Sequence, residues 1–251
     1  MVLMEKISSR KNQYIVHIRR LAADGDYRRE CGEFVCDGEK LLHEAVSSGM
    51  RVTSVLGVED IVPPAGASAY VAPPALVEYA SALKNSPGPV FTVGIPEIRV
   101  PNRPGRVIVL ENVQDPGNVG TVIRAADALG VDVVALVGDC ADLYSPRTVR
   151  GTMGAVFRQP VVRIGLDELH GFLSSRGLRL FGAALREGAE DIRAVSLAGA
   201  AVAIGNEGSG LSEGLLSLCD KSIVIPMAPW SESLNAAMAA TIVMWEMVRK
   251  K

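Results

Sequence analysis

Three times beyond residue 105 this 251-residue chain runs through a short, apolar, β-branched stretch straight into a polar loop that carries glycine or proline. Residues 106–110 (RVIVL) lead into ENVQDPGNVGTVIRAADALG, residues 201–204 (AVAI) into GNEGSGL, and residues 222–225 (SIVI) into PMAPWSESLN. Runs of that length and Val/Ile content suit strands buried on both faces of a parallel sheet, although periodicity alone leaves buried helix open. In open α/β sheets ligands sit beyond the carboxyl ends of strands. The loops 205–211 and 226–235 are therefore candidate site loops meeting at one edge.

The rest of the chain beyond residue 105 continues the alternation. Strands are expected at 133–137 and 179–185, with helices at 121–129, from Ser145, at 166–175 and at 211–218, and apolar residues around 156–164. In the first of these helices Val122, Ala125, Ala126 and Leu129 fall at helical spacing behind the turn Asp115-Pro116-Gly117-Asn118, and Gly130 stops it. A last helix runs from about Glu232 to Lys250, with Leu234, Met238, Thr241 or Ile242, Trp245 and Val248 on one stripe.

The first hundred residues read as a separate, smaller α/β unit. Residues 11–23 place Ile15, Ile18, Leu21 and Ala22 on one helical stripe with Lys11, Arg19 and Arg20 off it. Strands at 33–37, 51–56, 69–72 and 90–95 and helices at 39–48 and 74–83 follow. Nine of the fourteen prolines lie between Pro63 and Pro104, the last three in a polar, non-periodic stretch, so a linker is expected near 98–105. The division is then 1–98, a linker at 99–105, and 106–251.

Composition narrows the chemistry. The start MVLMEKISSRK lacks the apolar region of a signal peptide and no uncharged run approaches the roughly 18 residues of a membrane span, so a cytoplasmic protein is expected. Cys31, Cys36, Cys140 and Cys219 form no C-x-x-C pair, and only His17, His43 and His170 are available, which argues against a zinc site, a disulfide framework and His-based catalysis. His43 reads as a helix-surface or packed histidine. The formal net charge of −2 hides a local basic excess: from Lys6 to Arg29 there are seven basic residues (Lys6, Arg10, Lys11, Arg19, Arg20, Arg28, Arg29) against Asp24 and Asp26. Such a segment attracts polyanions, or else forms a solvated helix face.

Gly205-Asn206-Glu207-Gly208-Ser209-Gly210 has the order G-x-x-G-x-G, not the dinucleotide fingerprint, and a glutamate in the loop would repel a pyrophosphate. A cationic ligand suits Glu207 better, the plain alternative being an exposed glycine-rich turn. Asn118 and Arg124 are six residues apart, in the turn before a helix and within it. There a guanidinium interrupting an apolar segment either grips an anion or snorkels to the surface. Among Ser231, Ser233 and Asn235 at least one is an expected N-cap, and Met227 and Trp230 read as core rather than as ligand-lining, the alternative.

Together, Asn118 and Arg124 in DPGNVGTVIRAADALG, the segment GNEGSGL, and IPM followed by ESLNAAMA resemble the three motifs of the SpoU (TrmH-like) RNA 2′-O-ribose methyltransferases of the SPOUT class. The N-terminal YRRECGEFVCDGEKLLHEAV is similar to that family's RNA-binding domain. The resemblance implies a trefoil-knotted parallel-sheet domain that binds S-adenosylmethionine, and a homodimer whose active site draws on both subunits. By motif position it implies donor contacts from Gly205, Ile225, Met227 and Leu234 and a catalytic set of Asn118, Arg124, Glu207, Ser233 and Asn235. With RNA as the substrate, the local basic excess makes Arg10, Lys11, Arg19, Arg20, Arg28 and Arg29 the candidate RNA-binding residues. The expected activity is methylation of a ribose 2′-hydroxyl in RNA, ribosomal RNA first, without a metal or a membrane. The alternatives are a transfer RNA substrate or a non-catalytic RNA-binding protein of the same fold.

Overall fold

The computed structural model describes residues 4–58, 61–83, 86, 88–231 and 233–249. The first part of the chain forms β1 (Met4–Lys6), α1 (Gln13–Ala23), α2 (Gly25–Cys31), β2 (Glu33–Asp37), α3 (Glu39–Ser47), β3 (Val52–Gly57), β4 (Ser68–Val71), α4 (Pro74–Ala80) and β5 (Val90–Gly94). The remainder forms β6 (Arg106–Glu111), α5 (Pro116–Leu129), β7 (Val133–Val137), α6 (Pro146–Thr152), β8 (Val161–Ile164), α7 (Leu166–Ser174), β9 (Arg179–Ala183), β10 (Glu190–Asp191), β11 (Ala200–Ile204), α8 (Glu213–Leu218), β12 (Lys221–Val224) and α9 (Ala236–Val248). Contacts group the chain into two units, 1–97 with 142–157 and 98–141 with 158–251.

The first unit is a five-stranded mixed sheet in the order β1-β4-β3-β5-β2, with β5 antiparallel to both neighbours. The expected stripe of α1 is the packing face: Ile15, Ile18 and Leu21 are fully buried against Val35, Leu56, Leu76, Val77 and Val90. The helix starts at Gln13, two residues later than its periodicity suggests, because the Asn12 side chain accepts the Tyr14 N–H at 2.8 Å and caps it. Neither β1 nor α2 is apparent in the sequence. β1 is a short polar edge strand, and α2 carries no apolar stripe but is capped by Asp24 and stopped by Gly32 at φ 64°. Segment 142–157, which chain continuity assigns to the second domain, makes its contacts here: Phe34 lies 4.7 Å from Tyr144 and 6.3 Å from Phe157, ring to ring.

The second unit is a seven-stranded sheet in the order β10-β12-β9-β11-β6-β7-β8, with every pair parallel. Alternate residues of its central strands feed two cores. Val107, Val109, Val133, Ala135, Ala201 and Ala203 pack with Leu169 and Leu173 of α7 and Leu215 of α8. The intervening Ile108, Leu110, Val134, Leu136, Val202 and Ile204 are equally buried, as are Val119, Val122, Ile123 and Ala126 of α5 and Ala240, Val243 and Met244 of α9. Burial on both faces is why these strands read as unbroken apolar runs rather than as alternations.

Three expectations need correction. α5 begins at Pro116, with Asp115 as its N-cap, so Asn118 lies in the first turn of the helix rather than ahead of it. α9 begins at Ala236, its cap being Asn235; the expected outer limits Glu232 and Lys250 lie outside the described residues. Its anticipated stripe is also reversed in part. Met238 and Trp245 are 59% and 56% exposed, while Ala236, Ala237, Ala240, Val243, Met244 and Met247 face inward, small alanines allowing α9 close to α5.

Candidate active site

The parallel register sets the site. Leu110 of β6 pairs with Ile204 of β11, Ala203 with Gly182 of β9, and Ala183 of β9 with Ile223 of β12, so four strands release their loops at one edge. There Ala183–Arg186, Ile204–Leu211, Ile223–Ile225 and Met227, with Ser233 and Leu234, line a cavity of about 440 Å³. That volume suits a small-molecule ligand. Its ionisable walls are Arg186, Glu207 and Glu213.

Two loops are held in shape by short polar side chains. In the first, Asn206 pairs with Gly210 through N–H···O bonds of 3.0 Å in each direction, and its Oδ1 accepts the Gly208 and Ser209 N–H groups at 2.8 and 3.1 Å. Its Nδ2 donates to the Asn112 carbonyl at 2.9 Å, tying the loop to the end of β6. A Cβ on Gly205 would lie 2.2 Å from the Gly210 carbonyl carbon and 2.4 Å from the Leu211 nitrogen, so only glycine allows the hairpin to close. Below it, the buried carboxylate of Glu111 accepts the Ser212 N–H at 2.8 Å and the Ser212 hydroxyl at 2.6 Å, fixing the start of α8.

Three residues far apart in sequence meet here. Asn235 Oδ1 accepts the Ala237 and Met238 N–H groups at 3.0 and 3.2 Å, which leaves its Nδ2 as donor to Asn118 Oδ1 at 3.0 Å. Asn118 Nδ2 in turn donates to Glu207 Oε1 at 2.5 Å. The direction of each amide is thereby set by its neighbour. Gly205, Ile225, Met227, Ser233 and Leu234 all line the adjoining cavity.

Arg124 is not brought to this cluster. Six residues beyond Asn118 on a helix means about 9 Å along the axis and a turn of about 120° away; Arg124 is exposed, lines no part of the cavity, and has no ion pair among the described residues. Trp230, expected in the core, is 86% exposed, whereas Met227 is a cavity wall.

Within the first unit the predicted RNA-binding set divides. Arg28 is a correction: it is 4% exposed, its guanidinium bonds the Leu21 carbonyl and ion-pairs with Asp142 at 2.5 Å, so it is a structural cation that cannot reach a nucleic acid. Arg20 pairs with Asp24 at 3.5 Å and Arg29 with Asp26. Arg10 and Arg19 lie over the Tyr79 ring, 4.3 and 5.2 Å from its centroid, and Lys11 is exposed. Among the described residues no group of three metal-ligating side chains occurs, and no helix is long and apolar enough to cross a membrane.

The residues that the sequence reading passed over are Glu111, Asn112, Asn206, Arg186 and Glu213. A signal existed for Glu111, a charged residue closing an apolar strand.

Comparison with known proteins identifies the family. Residues 105–245 match the SpoU rRNA Methylase family. Over 97% of its length the chain is 32% identical to the 23S rRNA (guanosine(2553)-2′-O)-methyltransferase RlmP of Bacillus subtilis, covering 99% of that protein. It is 31% identical to the 23S rRNA (uridine(2479)-2′-O)-methyltransferase of Streptomyces viridochromogenes, covering 98% of this chain and 92% of that one. The crystal structure of an AdoMet-bound rRNA methyltransferase from Sinorhizobium meliloti superposes with a TM-score of 0.87 at 26% identity, covering 97% of each chain. The chain belongs to the SpoU rRNA methylase family.

Proposed function

We propose that this protein transfers a methyl group from S-adenosylmethionine to a ribose 2′-hydroxyl of ribosomal RNA. The observation that carries the reading is the bonded triplet Asn118, Glu207 and Asn235 beside a cavity with two acidic walls. A binding protein without a reaction has no need of such a set at the mouth of a small-molecule cavity. Two relatives act on a guanosine and a uridine, which makes the sugar hydroxyl, not the base, the feature shared by their reactions.

When bound, S-adenosylmethionine supplies an electrophilic methyl group on a positively charged sulfur. The cavity suits it: Gly205, Ile225, Met227 and Leu234 hold the donor, and Glu207 and Glu213 favour its cationic centre. Asn118, Ser233 and Asn235 orient the acceptor hydroxyl. Positioning of this kind accounts for much of the rate in an in-line displacement. Arg124 holds the neighbouring phosphate or the developing alkoxide, because a guanidinium stays protonated at neutral pH and is a poor base.

The larger arrangement belongs to the same proposal. After β12, at the far side of β9, the chain returns to lay α9 on α5, β6 and β11, a course that supports a trefoil knot. Exposed Met238 and Trp245 on α9, and an Arg124 outside its own chain's cluster, support a homodimer in which Arg124 serves the partner's site. The first unit serves as the RNA-binding domain and the second as the transferase domain, in a cytoplasmic protein.

Incubation of deproteinised bulk RNA with labelled donor, followed by mapping of alkali-resistant linkages, is expected to mark one position in large-subunit ribosomal RNA. Label confined to transfer RNA would change the substrate; no label, with no calorimetric heat on adding the donor, would leave a non-catalytic RNA binder. Arg124→Lys should bind the donor normally yet lose turnover by about a hundredfold or more, since the charge remains and the planar fork goes. Near-normal turnover would remove Arg124 from the mechanism.

A further inference from the structure

The arginines of the basic segment differ in one respect: Arg20, Arg28 and Arg29 are each matched by a carboxylate of their own unit, at Asp24, Asp142 and Asp26. Arg10 and Arg19 are not. Both lie on the same ring, Tyr79 of α4, within 4.3 and 5.2 Å of its centroid, and among the described residues neither has an acidic partner. Arg19 adds only a long bond to the Ser81 carbonyl, at 3.4 Å. Lys11, exposed and next in sequence to Arg10, adds a third cation, with no acidic partner among the described residues. Like charges gathered at one aromatic ring repel, and the quadrupole of the ring offsets only part of that cost. An anion beside them offsets it. Tyr79, half-buried in α4, supplies the rigid surface that keeps two flexible side chains together before any ligand arrives.

We propose that Arg10 and Arg19, held on Tyr79 and flanked by Lys11, form a clamp for the RNA phosphodiester backbone, and that Arg20, Arg28 and Arg29 make no RNA contact. The inference rests on RNA being the substrate. It names Tyr79 as a positioning residue that carries no charge of its own.

Binding of deproteinised large-subunit ribosomal RNA to the full chain, measured across a salt series, tests it. The double variant Arg10→Gln/Arg19→Gln should lower the slope of log K against log salt by about two, one per lost phosphate contact. Arg20→Gln/Arg29→Gln should leave the slope unchanged. Tyr79→Leu should weaken binding at every salt concentration with the slope retained, because the charges stay and their alignment goes, and Tyr79→Phe should restore it. Calorimetric heat with S-adenosylmethionine, which reports on the second unit, should be the same in all variants. An unchanged slope in the first double variant, or an equal loss in the second, overturns the clamp, as does a wild type that binds no RNA. Methyl transfer is scored separately: a wild type that binds with the expected slope but transfers no label overturns the reaction and leaves the clamp standing.

Discussion

Asn118 is bonded on both sides, and its two amide atoms are not interchangeable. Nδ2 faces a carboxylate and Oδ1 faces an amide donor. Asn118→Asp keeps the size and removes the donor, setting one carboxylate against Glu207. Two facing carboxylates raise the pKa of one of them. The variant is therefore expected to lose activity at alkaline pH and to regain part of it as the pH falls and one proton is shared, whereas Asn118→Ala should be equally poor throughout. A pH–rate profile that is parallel for the two variants would count against the bonded triplet. Asn118, Glu207 and Asn235 stand out in the sequence as polar residues behind apolar strands, but what joins them does not. The bond from Asn118 to Glu207 spans 89 positions and that from Asn235 to Asn118 spans 117, and no local pattern encodes a pairing at such range. The role of Glu111 is hidden in the sequence for a related reason. Its partner Ser212 is 101 residues away, so nothing adjacent to it in sequence marks it as a buried acid.

At the level of elements, starts were harder to place than middles. Asp115-Pro116 opens α5 as N-cap and first helical residue, yet the same pair is equally good turn chemistry; only the N–H of Asn118 bonded to Asp115 Oδ1 decides between them. In the first unit, β3 contains an irregularity between Val52 and Ser54 that lets the consecutive Thr53 and Ser54 both reach Thr92, at 2.5 Å each. Thr53 also donates to Glu33 of β2, and Tyr14 of α1 joins at Ser54, so one polar chain links α1, β2, β3 and β5. Glu33 closes it on His17 at 3.6 Å, and this contact first, then the Thr53 hydroxyl, holds the half-buried carboxyl below its usual range against the opposing effect of burial. A depressed folded pKa stabilises the fold fully above the unfolded value of about 4.3 and loses that contribution as pH falls through the folded one. Glu33→Gln should accordingly lower the melting temperature at pH 7 and flatten its decline below about pH 4.5. Matching acid limbs for variant and wild type would refute the linkage.

For the whole molecule, the alternation of short apolar runs with helices identified a parallel sheet covered on both faces, and the order of its strands was beyond reach. β11 inserts between β6 and β9, and β12 lies beyond β9, a permutation that depends on where the connections cross. Nor does the sequence reveal that segment 142–157 makes its contacts with the first unit, since only its aromatic residues Tyr144 and Phe157, packed near Phe34, carry that information. α9 has the wider consequence. Its alanines face inward and its bulky Met238 and Trp245 face outward, an inside-out distribution for a helix on a solitary molecule. If a second copy covers those side chains, self-association and folding draw on one common free energy, and the thermal midpoint ceases to be a constant of the chain. It should climb with protein concentration in serial dilutions, while Met238→Ser/Trp245→Ser sediments as a lighter species whose midpoint no longer responds to dilution.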